Sequence, residues 1–284
     1  MNIYKEIETR TNGEIYIGVV GPVRTGKSTF IKRFMELMVL PAITDEHNRK
    51  RALDELPQSA AGKTVMTTEP KFIPKEAVEV LFEDGVHFKC RMIDCVGYMV
   101  QGAEGHEEDG RERLVKTPWF DYDIPFTKAA EIGTKKVIYD HSTVGIVVTC
   151  DDTVSELDRS AYIQPETQTI QELKSIGKPF IVILNTRKPS SPETIALADE
   201  LQQAYGVAVL PVNCDQLRKA DVVHIFEALL LDFPVTCVRF RIPKWVEALE
   251  LKDEIKDRIV KNAAEMFASM RLMKDAAEYE FVQD

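Results

Sequence analysis

Residues 21–28 read Gly-Pro-Val-Arg-Thr-Gly-Lys-Ser, which matches G-x-x-x-x-G-K-[ST]. The match falls between a strand-like run, Glu14 to Val20, and a helical pattern from Lys27 to Met38 with Phe30, Phe34, Leu37 and Met38 at helical spacing. No other stretch constrains the fold as tightly. A chain that turns sharply from a buried strand into a helix points successive backbone N–H groups and a helix N-terminus at one spot, and glycines at both ends let the loop curl around a phosphate. A bare glycine turn with an exposed lysine would need none of this context. The cradle is therefore expected to comprise Gly21, Pro22, Val23, Arg24, Thr25, Gly26, Lys27, Ser28 and Thr29. Lys27 would bridge the β- and γ-phosphates of a nucleoside triphosphate, and Ser28 would offer its hydroxyl to Mg²⁺.

The rest of the chain keeps a matching rhythm. Val78 to Phe82 and Val86 to Ile93 read as two strands joined by Asp84-Gly85, a dipeptide suited to a tight hairpin. Helix then strand recurs three times: Lys128 to Asp140 into Val144 to Thr149, Glu166 to Ile176 into Phe180 to Leu184, and Glu193 to Tyr205 into Val207 to Val212. A helix over Ala220 to Leu231 closes the domain. This order predicts an α/β, Ras-like P-loop domain over residues 1–234, with a six-stranded, mostly parallel sheet and one antiparallel hairpin. Residues 235–284 break the rhythm. There we expect a strand at Val235 to Ile242 and an amphipathic helix, Leu249 to Lys274, with Leu251, Ile255, Ile259, Phe267 and Met270 on one face, together the start of a middle domain. That face either packs on the chain's own domain or meets a partner.

Asp94-Cys-Val-Gly97 ends the third expected strand and suits a D-x-x-G element: Asp94 holds Mg²⁺ through water, and the Gly97 N–H senses the γ-phosphate. Thr67 or Thr68, in a hydroxyl-rich loop, is expected to complete the metal shell as a first switch would; the alternative is a threonine-rich edge strand. A Ras-like enzyme carries glutamine directly after D-x-x-G to orient water, but Tyr98 stands here. Arg24, in mid-loop, could reach charge developing between the β- and γ-phosphates, as the arginine finger of guanylate-binding proteins and atlastins does in cis; otherwise it is a surface arginine paired with a carboxylate. The fifth strand runs into Asn185-Thr-Arg-Lys188, so a lysine replaces the aspartate that accepts both guanine N–H groups in N-K-x-D. Guanine selectivity should be lost, and adenine is the expected base, although nothing here reads adenine directly.

Other features exclude more than they assign. A net charge of −10 argues against a general nucleic-acid binder. No apolar run is long enough to span a bilayer, and the first thirty residues lack a signal-peptide layout, so a cytoplasmic location is expected. Cys90, Cys95, Cys150, Cys214 and Cys237 show no C-x-x-C spacing and read as buried thiols. The charged run Glu104 to Arg113 reads as a solvated loop, and His106 within it stays unassigned along with the other histidines.

Several longer strings are shared with one family: Gly18 to Phe30, Asp54 to Lys63, Met66 to Lys71 and Ile93 to Tyr98, with Thr117-Pro-Trp119, Ala130 to Thr134, His141 to Thr143 and Gly177 to Phe180 in support. Together they resemble the stage IV sporulation protein A family over nearly all of residues 1–245. The resemblance implies an ATPase descended from translation-factor GTPases that polymerises, with other spore coat morphogenetic proteins, as the coat's base layer on the forespore surface in the mother-cell cytoplasm. By position it implies Gly21 to Ser28 on the triphosphate, Asp94 in the second motif, and Thr67 with Thr68 coupling the γ-phosphate to hydrolysis. Family members continue well beyond this length, which puts transfer of polymerisation and membrane attachment in doubt. A GTP-binding switch and a nucleotide-stabilised scaffold without turnover are the alternatives.

Overall fold

The computed structural model describes residues 14–57, 69–81, 87–103, 107, 108, 111–250 and 253–277. A six-stranded sheet forms its frame: β1 (Glu14–Val20), β2 (Lys71–Leu81), β3 (His87–Asp94), β8 (Val144–Cys150), β9 (Phe180–Asn185) and β10 (Val209–Val212), in the order β10-β9-β8-β1-β3-β2. All pairings are parallel except β2 with β3. Every residue of β8 and β9 is buried. Such uninterrupted apolar runs occur where helices cover both faces of a parallel sheet, and they belong at its centre. The expected α/β architecture is thus present, with its one antiparallel pair at β2–β3; the turn at Asp84-Gly85 lies outside the described residues.

Between the strands run α1 (Lys27–Phe34), α2 (Glu46–Asp54), α3 (Phe126–Lys136), α4 (Ser160–Ser175) and α5 (Pro192–Tyr205), and α6 (Lys219–Leu231) follows β10. Side chains alternate across β1, sending Ile15, Ile17 and Val19 to one face and Tyr16, Gly18 and Val20 to the other. Val20 joins Val137, Ile138, Val147, Ile170, Leu173 and Val182 in one buried cluster. Gly18 lies so close to the end of the α3 segment that a Cβ there would come within 2.8 Å of the Ser142 Cβ. Elsewhere Phe34 of α1 stacks on Phe226 of α6, with ring centroids 5.8 Å apart and both rings fully buried.

Several element ends differ from expectation. Helix α1 stops at Phe34 and continues as a wider turn, Met35–Val39, ahead of Pro41. Helix α4 starts at Ser160, upstream of Pro165; the proline removes one N–H from the ladder, but the helix still runs through it. Strand β2 reaches back to Lys71, with an irregularity between Ile73 and Val78. Helix α2 was not anticipated; Asp45 caps it by accepting from the Asn48 amide at 2.7 Å. Two small antiparallel pairs were not anticipated: β4 (Glu107–Glu108) with β5 (Arg111–Glu112), inside the charged run, where Glu107, Arg111 and Glu112 are exposed as in a solvated segment, and β6 (Leu114–Thr117) with β7 (Phe120–Pro125).

The chain divides into two compact units, Met1–Ala228 and Leu229–Asp284. In the second, residues 235–243 form no strand ladder, contrary to expectation; only Pro234 makes an isolated bridge, to Leu272. A short helix α7 (Lys244–Glu247) precedes the expected long helix, which is instead two: α8 (Glu254–Ser269) and α9 (Met273–Ala277). Helix α8 ends because Met270 turns extended and the Asp275 carboxylate takes the Arg271 and Leu272 amides, both at 2.8 Å, which starts a new helix. Leu251, expected on the helix's apolar face, lies outside the described residues. Four cysteines are buried thiols, but Cys237, in the ladder-free segment, is exposed, correcting the expectation for it.

Phe226→Ala should destabilise the protein by about 3–5 kcal/mol, because it removes a fully buried ring and one side of the α1–α6 stack. A urea unfolding midpoint shift with unchanged m-value would measure it.

Candidate active site

Strand β1 has β3 on one side and β8 on the other, so its carboxyl end is where the sheet's connections diverge, the usual crevice for a ligand in open α/β sheets. The loop Gly21–Gly26 leaves β1 at that point. Helix α1 begins at Lys27 with Gly26 in the left-handed region (φ 96°) and no side chain capping its first amides. A Cβ at residue 26 would lie 2.3 Å from the Asn185 Nδ2, so both the backbone angle and the space require glycine.

The loop holds its own shape. Thr25, fully buried, donates its hydroxyl to the Pro22 carbonyl at 3.0 Å, and the Lys27 Nζ donates to the same carbonyl at 2.5 Å. Asn185, at the end of β9, donates from Nδ2 to the Thr25 carbonyl (2.9 Å) and accepts the Cys214 amide on Oδ1 (3.1 Å). One buried side chain thereby ties the loop to the ends of β9 and β10. On the other side, the Val23 amide donates to the Tyr98 carbonyl at 2.9 Å.

Asp94 ends β3 beside Val19 of β1. Its Oδ2 accepts the Ser28 hydroxyl at 2.9 Å, while Oδ1 is buried with no partner. Gly97 sits against the loop so closely that a Cβ would lie 2.1 Å from the Gly21 carbonyl oxygen and 2.6 Å from the Lys27 Nζ. Burial pushes the Asp94 carboxyl up, against the pull of Lys27 and the Ser28 hydrogen bond, and pushes the Lys27 ammonium down, against nearby negative groups. Each charge is thus penalised where it stands, and both penalties would fall with a ligand that brings an anion to Lys27 and a cation to Asp94. The orphaned Oδ1 and the glycine-lined cradle fit a Mg²⁺–triphosphate. Among the described residues no group of three or more His, Cys, Asp or Glu could hold a metal alone, so hydroxyls, water and phosphate oxygens would have to supply most of the shell.

The structure therefore brings Gly21 to Thr29, Asp94 and Gly97 together. Thr67, Thr68 and His106 lie outside the described residues. The chain past Thr68 enters the sheet at Lys71, which pairs across from Asp94. Arg24 is exposed between the buried Val23 and Thr25, with φ at 63°, a left-handed angle uncommon for a residue with a side chain. Its charge reaches Tyr162, whose hydroxyl is pushed up to about 12 chiefly by burial, with Arg24 among the opposing influences. Lys188 is exposed, and its amide donates to the Thr186 hydroxyl at 3.0 Å. Sequence reasoning missed Asn185 as a clamp, although it is the retained first residue of the N-K-x-D position. It also missed that Tyr98 is buried and donates its hydroxyl to Glu172.

A phosphate loop after β1, a carboxylate at the end of β3 with a glycine just beyond it, and a mostly parallel sheet define a P-loop nucleoside triphosphatase-type domain. Among the described residues no helix is long and apolar enough to cross a membrane. The family "Stage IV sporulation protein A, ATPase domain" matches residues 1–234. The chain is 51% identical to stage IV sporulation protein A of Clostridioides difficile (strain 630), 46% to that of Bacillus subtilis (strain 168) and 45% to that of Bacillus anthracis, over 100%, 100% and 99% of its own length. It belongs to this ATPase-domain family. It spans 59% of the length of these relatives.

Asn185→Ala should weaken nucleotide binding and cost about 1–3 kcal/mol of stability, because it leaves the Thr25 carbonyl and the Cys214 amide unpaired in a buried site. Comparing unfolding midpoints with and without Mg²⁺–ATP separates the two effects.

Proposed function

We propose that this domain hydrolyses ATP to ADP and phosphate in a Mg²⁺-dependent reaction, and that turnover drives a conformational change coupled to self-assembly of a spore coat base layer. The observation that carries the enzymatic part is the convergence of Lys27, Asp94 and Gly97 on one glycine-lined loop at the carboxyl end of β1. The names of the matching relatives support a role in sporulation. Assembly with other coat proteins at the forespore surface rests on the family resemblance alone.

The residues divide the work by chemistry. Backbone amides of the loop and the uncapped start of α1 bind the β-phosphate, and Lys27 spans the β- and γ-phosphates and neutralises charge as the terminal bond breaks. Ser28 and Asp94, with Thr67 or Thr68, would hold Mg²⁺, which when bound neutralises phosphate oxygens. The Gly97 amide faces the γ-phosphate. Arg24 is assigned as a finger in cis, and its unusual backbone angle is the kind of local strain that collects at functional sites. Lys188, an ammonium with no acceptor, is assigned to the rejection of guanine.

Purified protein should release phosphate from ATP in preference to GTP, and Lys27→Ala and Asp94→Ala should each lower the rate by about 100-fold or more. A preference for GTP would overturn the base assignment. Binding of ATP with no turnover under any condition would favour a nucleotide-stabilised scaffold. Lys188→Asp should raise GTP use relative to ATP by about ten-fold or more, read from the ratio of kcat/KM values.

A further inference from the structure

We infer that Tyr98 is a positioning residue for ATP hydrolysis: anchored on Glu172 of α4 and on the Val23 amide, it fixes the Gly97 amide against the phosphate loop. The inference rests on the reading of Gly97 as the γ-phosphate sensor. Gly97 has φ at 94° and no side chain, so nothing intrinsic to it holds its amide in one direction. The next residue supplies that constraint from two sides. Its carbonyl accepts the Val23 amide at 2.9 Å, and its backbone bridges to Pro22 in parallel register. Its ring is 5% exposed, and its hydroxyl donates to the Glu172 Oε2.

Glu172 is itself fixed. The Gln168 Nε2 donates to its Oε1 at 3.4 Å, and the Lys135 Nζ of α3 stands 3.8 Å from the same oxygen. Burial first and then Glu172 push the Tyr98 phenol well above its ordinary value, so it remains a neutral donor across the working pH range. This hydroxyl is committed to α4. Tyr98 therefore does not take the water-orienting part of the glutamine usual at its position; it acts through Gly97, on the rate of the step and not on the binding of nucleotide. Catalytic geometry is sensitive to small displacements, and a loosened Gly97 would be felt chiefly in kcat.

The test compares Tyr98→Phe, Glu172→Leu and the double variant with wild type for kcat and KM in ATP hydrolysis, alongside thermal midpoints. Tyr205→Phe serves as a control, because its hydroxyl donates to the Glu166 Oε1 at 2.6 Å in a comparable tyrosine–glutamate bond away from the loop. Each single variant is expected to lose about ten-fold in kcat with KM unchanged. The double variant should lose no more than either single one, since both remove the same bond. Tyr205→Phe should lower the thermal midpoint and leave kcat alone. Wild-type kcat in Tyr98→Phe, additive losses in the double variant, or an equal kcat loss in Tyr205→Phe would each overturn the inference. Lys27→Ala in parallel keeps the two readings apart: if it still turns over, the site assignment fails and the positioning role with it, whereas an inactive Lys27→Ala beside a fully active Tyr98→Phe sinks the positioning role alone.

Discussion

The burial of Lys27 beside Asp94 is the constraint on which the rest of the site depends. An ammonium and a carboxylate are both withdrawn from water, and burial shifts each toward its neutral form. Charges in such a place persist only when partners are held in position, because an unpaired buried charge costs several kcal/mol, about 3–5 when a pair is broken. Parallel pairing of β1 with β3, Val19 opposite Asp94, sets their spacing; the Pro22 carbonyl and the Ser28 hydroxyl satisfy one side of each. The remaining side, marked by the unpartnered Asp94 Oδ1, is where a metal–triphosphate would complete the electrostatics. Ligand binding and loop order are therefore expected to be coupled through two charges.

That arrangement also explains the close packing around the loop. Gly26 leaves room for Asn185, and Gly97 leaves room for the Gly21 carbonyl and the Lys27 Nζ. Asn185 and Tyr98 approach from opposite sides, one from the end of β9 and one from the residue after D-x-x-G, and each pairs with a backbone group of the loop. A loop gripped on both sides keeps its amides aimed without rearrangement when phosphate arrives, and such preorganisation is where electrostatic catalysis gets most of its advantage.

What the sequence made legible follows from how local each signal is. The phosphate loop, D-x-x-G and the apolar runs of β8 and β9 are contiguous, so their residue types alone point to their structure. Residues 235–242 show the limit: Val-Thr-Cys-Val-Arg-Phe-Arg-Ile has strong strand propensity, yet among the described residues no strand pairs with it, and propensity without a ladder does not make a strand. The β6–β7 pair shows a second limit: Phe120, Asp121, Tyr122 and Asp123 alternate as a strand would, but over a run too short to stand out, and the pairing of Thr117 with Phe120 closes the ribbon. The lacing of the site was hidden for a third reason: Tyr98 and Glu172 are 74 residues apart, and Asn185 and Thr25 are 160 apart, distances over which no periodicity speaks.

The replacement of glutamine by Tyr98 then has a definite structural meaning. With its hydroxyl taken by Glu172 and its ring buried, residue 98 cannot also present that hydroxyl to a water at a γ-phosphate. Arg24 is exposed, flanked by the buried Val23 and Thr25, and held at a backbone angle that costs about 1–2 kcal/mol for a residue with a side chain. That cost is borne in a segment fixed by Asn185 on one side and Tyr98 on the other. The two anchors differ in kind: Asn185 holds the Thr25 carbonyl with its side chain, whereas Tyr98 holds the Val23 amide with a backbone carbonyl that a side-chain substitution leaves in place.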